Sequence, residues 1–172
     1  IKAYTHRRDR HNTSLKIIFK NINIYDNAYI YYFRIMKEKI TIRRAQHADL
    51  QELLDIYNYE VLHGVATFDI TPKTLEERET WLSQHNVGNF PLIVAVNEHN
   101  EVIGYASLSE YRTKEAYRQT AELSVYIDVN HRGKGIASML LESIITLAQR
   151  ETDLCTIVSV ITSGNKVSRR LH

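Results

Sequence analysis

Residues 121–138, AELSVYIDVNHRGKGIAS, constrain this chain more than any other stretch. Leu123, Val125 and Ile127 alternate as one face of a strand. Asn130, His131, Arg132, Gly133, Lys134 and Gly135 then form a basic, glycine-bearing turn, and the apolar run beginning at Ile136 reads as a helix. A strand feeding a helix N-terminus through such a loop gathers unpaired backbone N–H groups, the positive end of a helix dipole and two cationic side chains at one point. That combination makes a cradle for a pyrophosphate. Glycine matters at 133 and 135 because a Cβ there would hold an anion away from the backbone donors, or forbid the dihedrals that aim them inward.

The spacing weighs against two familiar nucleotide loops. A dinucleotide-binding fingerprint sets its glycines directly after the strand and an acidic residue at the end of the next one. Here Asn130, His131 and Arg132 intervene, and the next strand ends in Thr162, Ser163, Gly164 and Asn165. A Walker loop requires Gly-Lys-Ser or Gly-Lys-Thr, and Gly133-Lys134 is followed by Gly135.

What remains resembles the acyl-CoA loop of the GCN5-related N-acetyltransferases (GNAT). Their motif is Gln or Arg, two residues, Gly, one residue, then Gly or Ala; Arg132, Gly135 and Ala137 meet it. Over residues 39–172 the chain resembles, more narrowly, the phosphinothricin and methionine sulfone acetyltransferase branch. Carrying that likeness, in order, are Ala66-Thr67-Phe68-Asp69, Gly104-Tyr105-Ala106-Ser107, Tyr111-Arg112, Tyr117-Arg118, Ser124-Val125-Tyr126-Ile127 and residues 165–172. The resemblance implies an α/β GNAT acyl-CoA N-acyltransferase fold with a mixed central sheet flanked by helices. It also implies acetyl-CoA as co-substrate, a small amino-acid-like amine as acceptor and a possible homodimer.

The same resemblance assigns roles. Backbone groups of Val125, Tyr126 and Ile127 would pair with the pantetheine amides as though the cofactor were another strand. Arg132, Gly133, Lys134, Gly135, Ile136, Ala137 and Ser138 would hold the pyrophosphate, with Asn165 capping the last helix and touching the cofactor. Glu122, at the head of the cofactor strand, is the expected general base, because an amine is protonated at neutral pH and a partly desolvated carboxylate can accept its proton. His172 stands where many relatives have Tyr and would return a proton to the departing thiolate. Arg112 and Arg118 suit a substrate carboxylate bidentately, and Phe68 would close the apolar side of the pocket.

Composition bounds the alternatives. With 172 residues, 44% hydrophobic and 24% charged, the chain suits one soluble domain with a sizeable core. Residues 1–35 hold seven Lys or Arg against two Asp, a net of +5, which leaves −3 for the rest of a chain whose total is +2. The body therefore offers no basic surface for nucleic acid. The eight histidines show neither H-x-H nor H-E-x-x-H spacing, so no metal is expected. The single Cys155, in an apolar run, reads as a buried structural thiol. No stretch reaches the roughly 18 to 20 apolar residues of a membrane span, and a cytoplasmic setting is expected.

Two features of the ends stand out. Residues 1–35 lack any steady period and begin with Ile, and Met36 opens the part that resembles the family; residues 1–35 therefore read as an extension and residues 36–172 as the domain. A basic targeting or nucleic-acid arm is the rival reading of the extension. The last helix ends at His172, so the expectation is a domain whose C-terminal strands are missing.

The period of the remainder predicts a strand over residues 39–44 and a helix to His63 capped by Asp49 with Glu52. A second helix opens on the Thr74/Glu77 capping box and ends near His85, with Glu76, Glu77 and Glu79 on a solvated face. Strands follow over residues 91–96 and 102–109, then a loop over residues 110–119, the cofactor strand at 123–129, a helix over 133–150 and a strand over 154–161. Two other functions stay open at this point. One is acetylation of a protein N-terminus or lysine, and the other is a non-catalytic acyl-CoA-binding module.

Overall fold

The computed structural model describes residues 39–172, so the expected extension over residues 1–35 and the start at Met36 lie outside the described residues. Strands β1 (Thr41–Arg44), β2 (Leu92–Val96), β3 (Val102–Glu110) and β4 (Thr120–Ile127) form an antiparallel run in sequence order, and β5 (Thr156–Val158) joins β4 in parallel. Helices α1 (Leu50–His63) and α2 (Leu75–Ser83) precede β2, α3 (Ile136–Glu151) supplies the crossover that a parallel pair needs, and α4 (Lys166–Leu171) follows β5. The expected mixed sheet flanked by helices is what the chain forms.

Alternation along β2 shows how the layers are built. Leu92, Val94 and Val96 pack with Leu53 and Ile56 of α1 and Trp81 and Leu82 of α2, whereas Ile93 and Ala95 pack with Ile136, Leu140, Ile144 and Ala148 of α3. Both faces of the central strands are thus covered, and all five residues of β2 are buried. Leu140 and Ile144 have no exposed surface; truncating either to Ala would cost about 2–5 kcal/mol. Among the described residues no helix is long and apolar enough to cross a membrane.

The Thr74/Glu77 box forms as expected: the Glu77 amide donates to Thr74 Oγ1 at 3.2 Å and the Thr74 amide to Glu77 Oε2 at 2.8 Å. The Asp49/Glu52 box does not. Asp49 ends a short 3-10 turn (His47–Asp49), and its carboxylate instead accepts two bonds from Arg43, at 2.7 and 2.8 Å, and one from the Gln46 amide at 2.7 Å. Burial alone would raise the Asp49 pKa; these bonds outweigh it and hold the carboxyl below its usual range. Glu52 accepts from the Val102 amide at 3.0 Å, tying α1 to β3.

Two other boundaries differ. The helix expected from 133 starts at Ile136, because residues before it form the turn itself, and the strand expected over residues 154–161 pairs with β4 only over Thr156–Val158. Cys155 is half-buried rather than buried.

Candidate active site

The short β5 creates the site. Pairing between β4 and β5 stops at Glu122 and Val158, and from there the two diverge, so among the described residues the edge of β4 from Leu123 to Ile127 has no strand neighbour on that side. A cleft of about 1190 Å³ opens there, walled by Val125, Tyr126 and Ile127 on one side and by Ser159 and Thr162 on the other. A strand edge without a neighbour leaves backbone N–H and C=O groups ready to pair with any extended molecule carrying amides.

The glycine turn lies at one end of this edge. Arg132, Gly133, Gly135, Ile136, Ala137 and Ser138 line the cleft, and Lys134 does not. Gly133 and Gly135 take φ of 74° and 84°, left-handed values that put the turn out of reach of most residues. A Cβ on Gly133 would meet nothing within 4 Å, so it is the dihedral that requires glycine there. Ile136 and Ala137 open α3, where amides have no intrahelical acceptor. Asp128 braces the turn by accepting from the Asn130 amide at 2.9 Å and from His131 Nδ1 at 2.8 Å. Arg132 donates from Nε to the Ile127 carbonyl at 3.2 Å and from Nη2 to the buried Glu60 carboxylate of α1.

The other end is a polar row. Register across β3 and β4 pairs Tyr105 with Tyr126, Ser107 with Ser124 and Ser109 with Glu122, so these six side chains share one face of the sheet. Tyr105 and Tyr126 pack in the core beneath α1 and α2, which places the row on that side. Glu122 lines the cleft half-buried, its carboxylate has no hydrogen-bond partner among the described residues, and burial pushes its pKa up. Ser109 is held from behind by His85. The Trp81 carbonyl can only accept, so His85 Nδ1 donates to it at 2.7 Å and Nε2 accepts from Ser109 Oγ at 3.0 Å. Burial lowers the His85 pKa and so favours this neutral form.

Several residues not anticipated from the sequence gather above the row. Arg78 of α2 is 4% exposed and donates from Nη2 to the Tyr105 hydroxyl at 2.6 Å. Tyr57 donates to Asp69 at 2.5 Å and its hydroxyl sits 3.0 Å from Thr67 Oγ1, which pins the segment following α1 over the cleft. Only Arg78 sits in a stretch whose neighbours, all exposed glutamates, advertise a solvated face; its helical position three residues before Trp81 was the available signal.

The other sequence-derived candidates fall in three places. Phe68 lines the cleft but is 62% exposed, a rim position. Asn165 lines it too, and its Oδ1 accepts from the Ser168 amide at 3.0 Å as the cap of α4. His172 lines it with Nδ1 donating to the Ser168 carbonyl at 2.9 Å, while Nε2 is buried without a partner among the described residues. Burial lowers the His172 pKa, and in the neutral form Nε2 is an acceptor, which does not suit the proton-donating role expected of it. Arg112 and Arg118 are absent from the cleft wall; Arg112 lies over the rings of Tyr111 and Tyr117, 5.1 and 5.8 Å from their centroids. Their loop leaves β3 at Glu110, one residue beyond the Ser109 that faces Glu122, so both belong to the Glu122 end.

Comparisons with known proteins accord with this geometry. Residues 39–172 match the family model described as an acetyltransferase (GNAT) domain. The L-methionine sulfoximine/L-methionine sulfone acetyltransferase of Pseudomonas aeruginosa is 39% identical over 132 residues, 77% of this chain and 76% of that protein. Among solved structures, a ribosomal-protein-alanine N-acetyltransferase from Brucella melitensis is 41% identical with a TM-score of 0.72, covering 77% of this chain and 80% of that one. A phosphinothricin acetyltransferase (Pat) from Sinorhizobium meliloti, in complex with acetyl-CoA, is 35% identical with a TM-score of 0.71, covering 77% and 71%.

Proposed function

The chain belongs to the GNAT acetyltransferase family, and we propose that it transfers the acetyl group of acetyl-CoA to the α-amine of a small amino acid of the methionine sulfone, methionine sulfoximine or phosphinothricin type. The observation that carries this reading is the half-buried Glu122 carboxylate, without a hydrogen-bond partner among the described residues, at the head of an open strand edge whose far end is a glycine turn. The cleft fits acetyl-CoA on its own terms. An unpaired edge at Val125, Tyr126 and Ile127 matches a pantetheine arm with two amides, and the amides of Ile136 and Ala137 with the Arg132 guanidinium match a pyrophosphate.

Bound there, acetyl-CoA supplies an activated thioester. The chain supplies proton transfer and position. An amino acid reaches the site as an ammonium, which is not nucleophilic, and Glu122 takes its proton directly or through water. Desolvation makes this carboxylate a stronger base than one in open solvent. Ser109, whose hydroxyl donates to His85, has lone pairs that can accept from the ammonium beside Glu122. Arg112 and Arg118 remain the groups for the α-carboxylate, a role supported by the attachment of their loop at the Glu122 end.

A second reading, acetylation of a protein N-terminus, is favoured by the name of the Brucella structure alone. Release of CoA decides between them when measured with acetyl-CoA against a panel of free amino acids and a peptide beginning with alanine. Turnover of methionine sulfone or phosphinothricin supports the amino-acid reading; turnover of the peptide alone overturns it.

A further inference from the structure

Arg78 is a buried charge that no carboxylate answers among the described residues. Asp49 is paired with Arg43 and Glu60 with Arg132, but among the described residues the Arg78 guanidinium has only the Tyr105 hydroxyl as a hydrogen-bond partner, and its Nε is buried with none. Aromatic rings box it in. Its Cζ lies 3.5 Å from the Trp81 centroid, 4.9 Å from that of Tyr57 and 5.2 Å from that of Tyr105. Ring faces attract a cation and fix the plane of the fork, yet they do not replace a counter-charge. Leaving such a group buried is unfavourable, and Arg78 lines the cleft, where a bound molecule can supply the missing oxygen.

The row beneath fixes which part of the molecule that is. Ser109 faces Glu122, and Tyr105, which holds Arg78, stands four residues away on the same face of β3, about 13 Å along the strand. An amino acid with its amine at Glu122 keeps its α-carboxylate on the adjoining carbon, at that same end. What extends toward Arg78 is the far end of the side chain. Methionine sulfone, methionine sulfoximine and phosphinothricin share there a tetrahedral sulfur or phosphorus bearing oxygen, two methylene groups beyond the α-carbon. We propose that Arg78 is a specificity-determining residue of this chain, donating from its fork to the oxygens of a sulfone, sulfoximine or phosphinate group at the end of the substrate remote from the amine. This rests on the amino-acid reading of the site.

The test is kcat/KM for wild type, Arg78→Gln and Arg78→Lys on methionine sulfone, phosphinothricin and methionine, which has the same chain without the oxygens. Arg78→Gln should lose roughly ten- to a hundredfold on the two oxygenated substrates and less than about threefold on methionine, with Arg78→Lys between. An unchanged acetyl-CoA dissociation constant and a cooperative melt would show the variants folded. Equal losses on all three substrates would assign Arg78 to the α-carboxylate and overturn the proposal, as would no loss. If neither variant folds, the wild type decides by equilibrium titration: sulfone bound no tighter than methionine overturns the proposal. A wild type that acetylates all three amino acids equally well sinks the Arg78 role alone, whereas one that acetylates only an alanine-initiated peptide sinks the amino-acid reading with it.

Discussion

Arg132 reaches from the glycine turn to α1, where its Nη2 donates to Glu60, a carboxylate whose side chain is 8% exposed. The arginine that the sequence assigns to a pyrophosphate is therefore also the counter-ion of a buried acid. Arg132→Ala should weaken acetyl-CoA binding tenfold or more, and it should also leave Glu60 uncompensated. Because Arg132 itself is 44% exposed, the stability loss is discounted for solvent to about 1–3 kcal/mol. Adding Glu60→Gln should restore most of that stability but not the affinity. Urea denaturation beside equilibrium binding separates the two effects, and full recovery of both in the double variant would remove Arg132 from the cradle.

Gly133 isolates the backbone contribution. With φ of 74° and open space around a built Cβ, Gly133→Ala meets no clash, so its cost is the left-handed conformation, about 1–2 kcal/mol. Gly133→Asn should be milder, since Asn tolerates that region. Calorimetric melting should rank the three glycine, asparagine, alanine. Equal stability of all three would mean that the turn relaxes to another conformation.

Glu122 gives a signed pH dependence. Burial raises its pKa, so the folded chain holds that proton more tightly than the unfolded chain does, and ionisation costs stability as pH rises above the ordinary carboxylate range. Glu122→Gln should match wild type in acid and exceed it at neutral pH in thermal scans. Its kcat should fall at neutral pH and recover as rising pH supplies free amine. A variant whose deficit is the same at every pH would argue against a base at this position.

For Arg112 and Arg118, replacement of either by Gln should raise KM for an amino acid by roughly ten- to a hundredfold while leaving its decarboxylated amine nearly unaffected. Steady-state kinetics on such a pair would settle the point. Equal losses on acid and amine would sink the clamp, since Arg112 is otherwise a stacked residue outside the cleft wall.

Legibility in the sequence followed the range of the interactions. The turn at Gly133 and Gly135 was readable because dihedral demands and helix polarity are local. The Thr74/Glu77 cap was readable for the same reason, since its bonds span three residues. Asp49 presented an equally good local signal and was captured instead by Arg43 on a neighbouring strand, a contact that spacing alone does not reveal. Arg78 was hidden because charged residues among glutamates on a short helix read as solvated, and only the packing of α2 against Tyr105 buries it. The length of β5 was overread because an apolar run does not say where its partner strand turns away.

That parting of β4 and β5 bears on the protein before any catalysis begins. An unpaired strand edge is a template for a second chain as much as for a pantetheine arm, so the edge left open among the described residues offers a route to edge-to-edge association. Saturation with acetyl-CoA would close that route by mass action, adding about 2.7 kcal/mol at a hundredfold excess over the dissociation constant. The co-substrate then stabilises the folded chain that binds it. Solubility and shelf life should track the acetyl-CoA level as closely as turnover does.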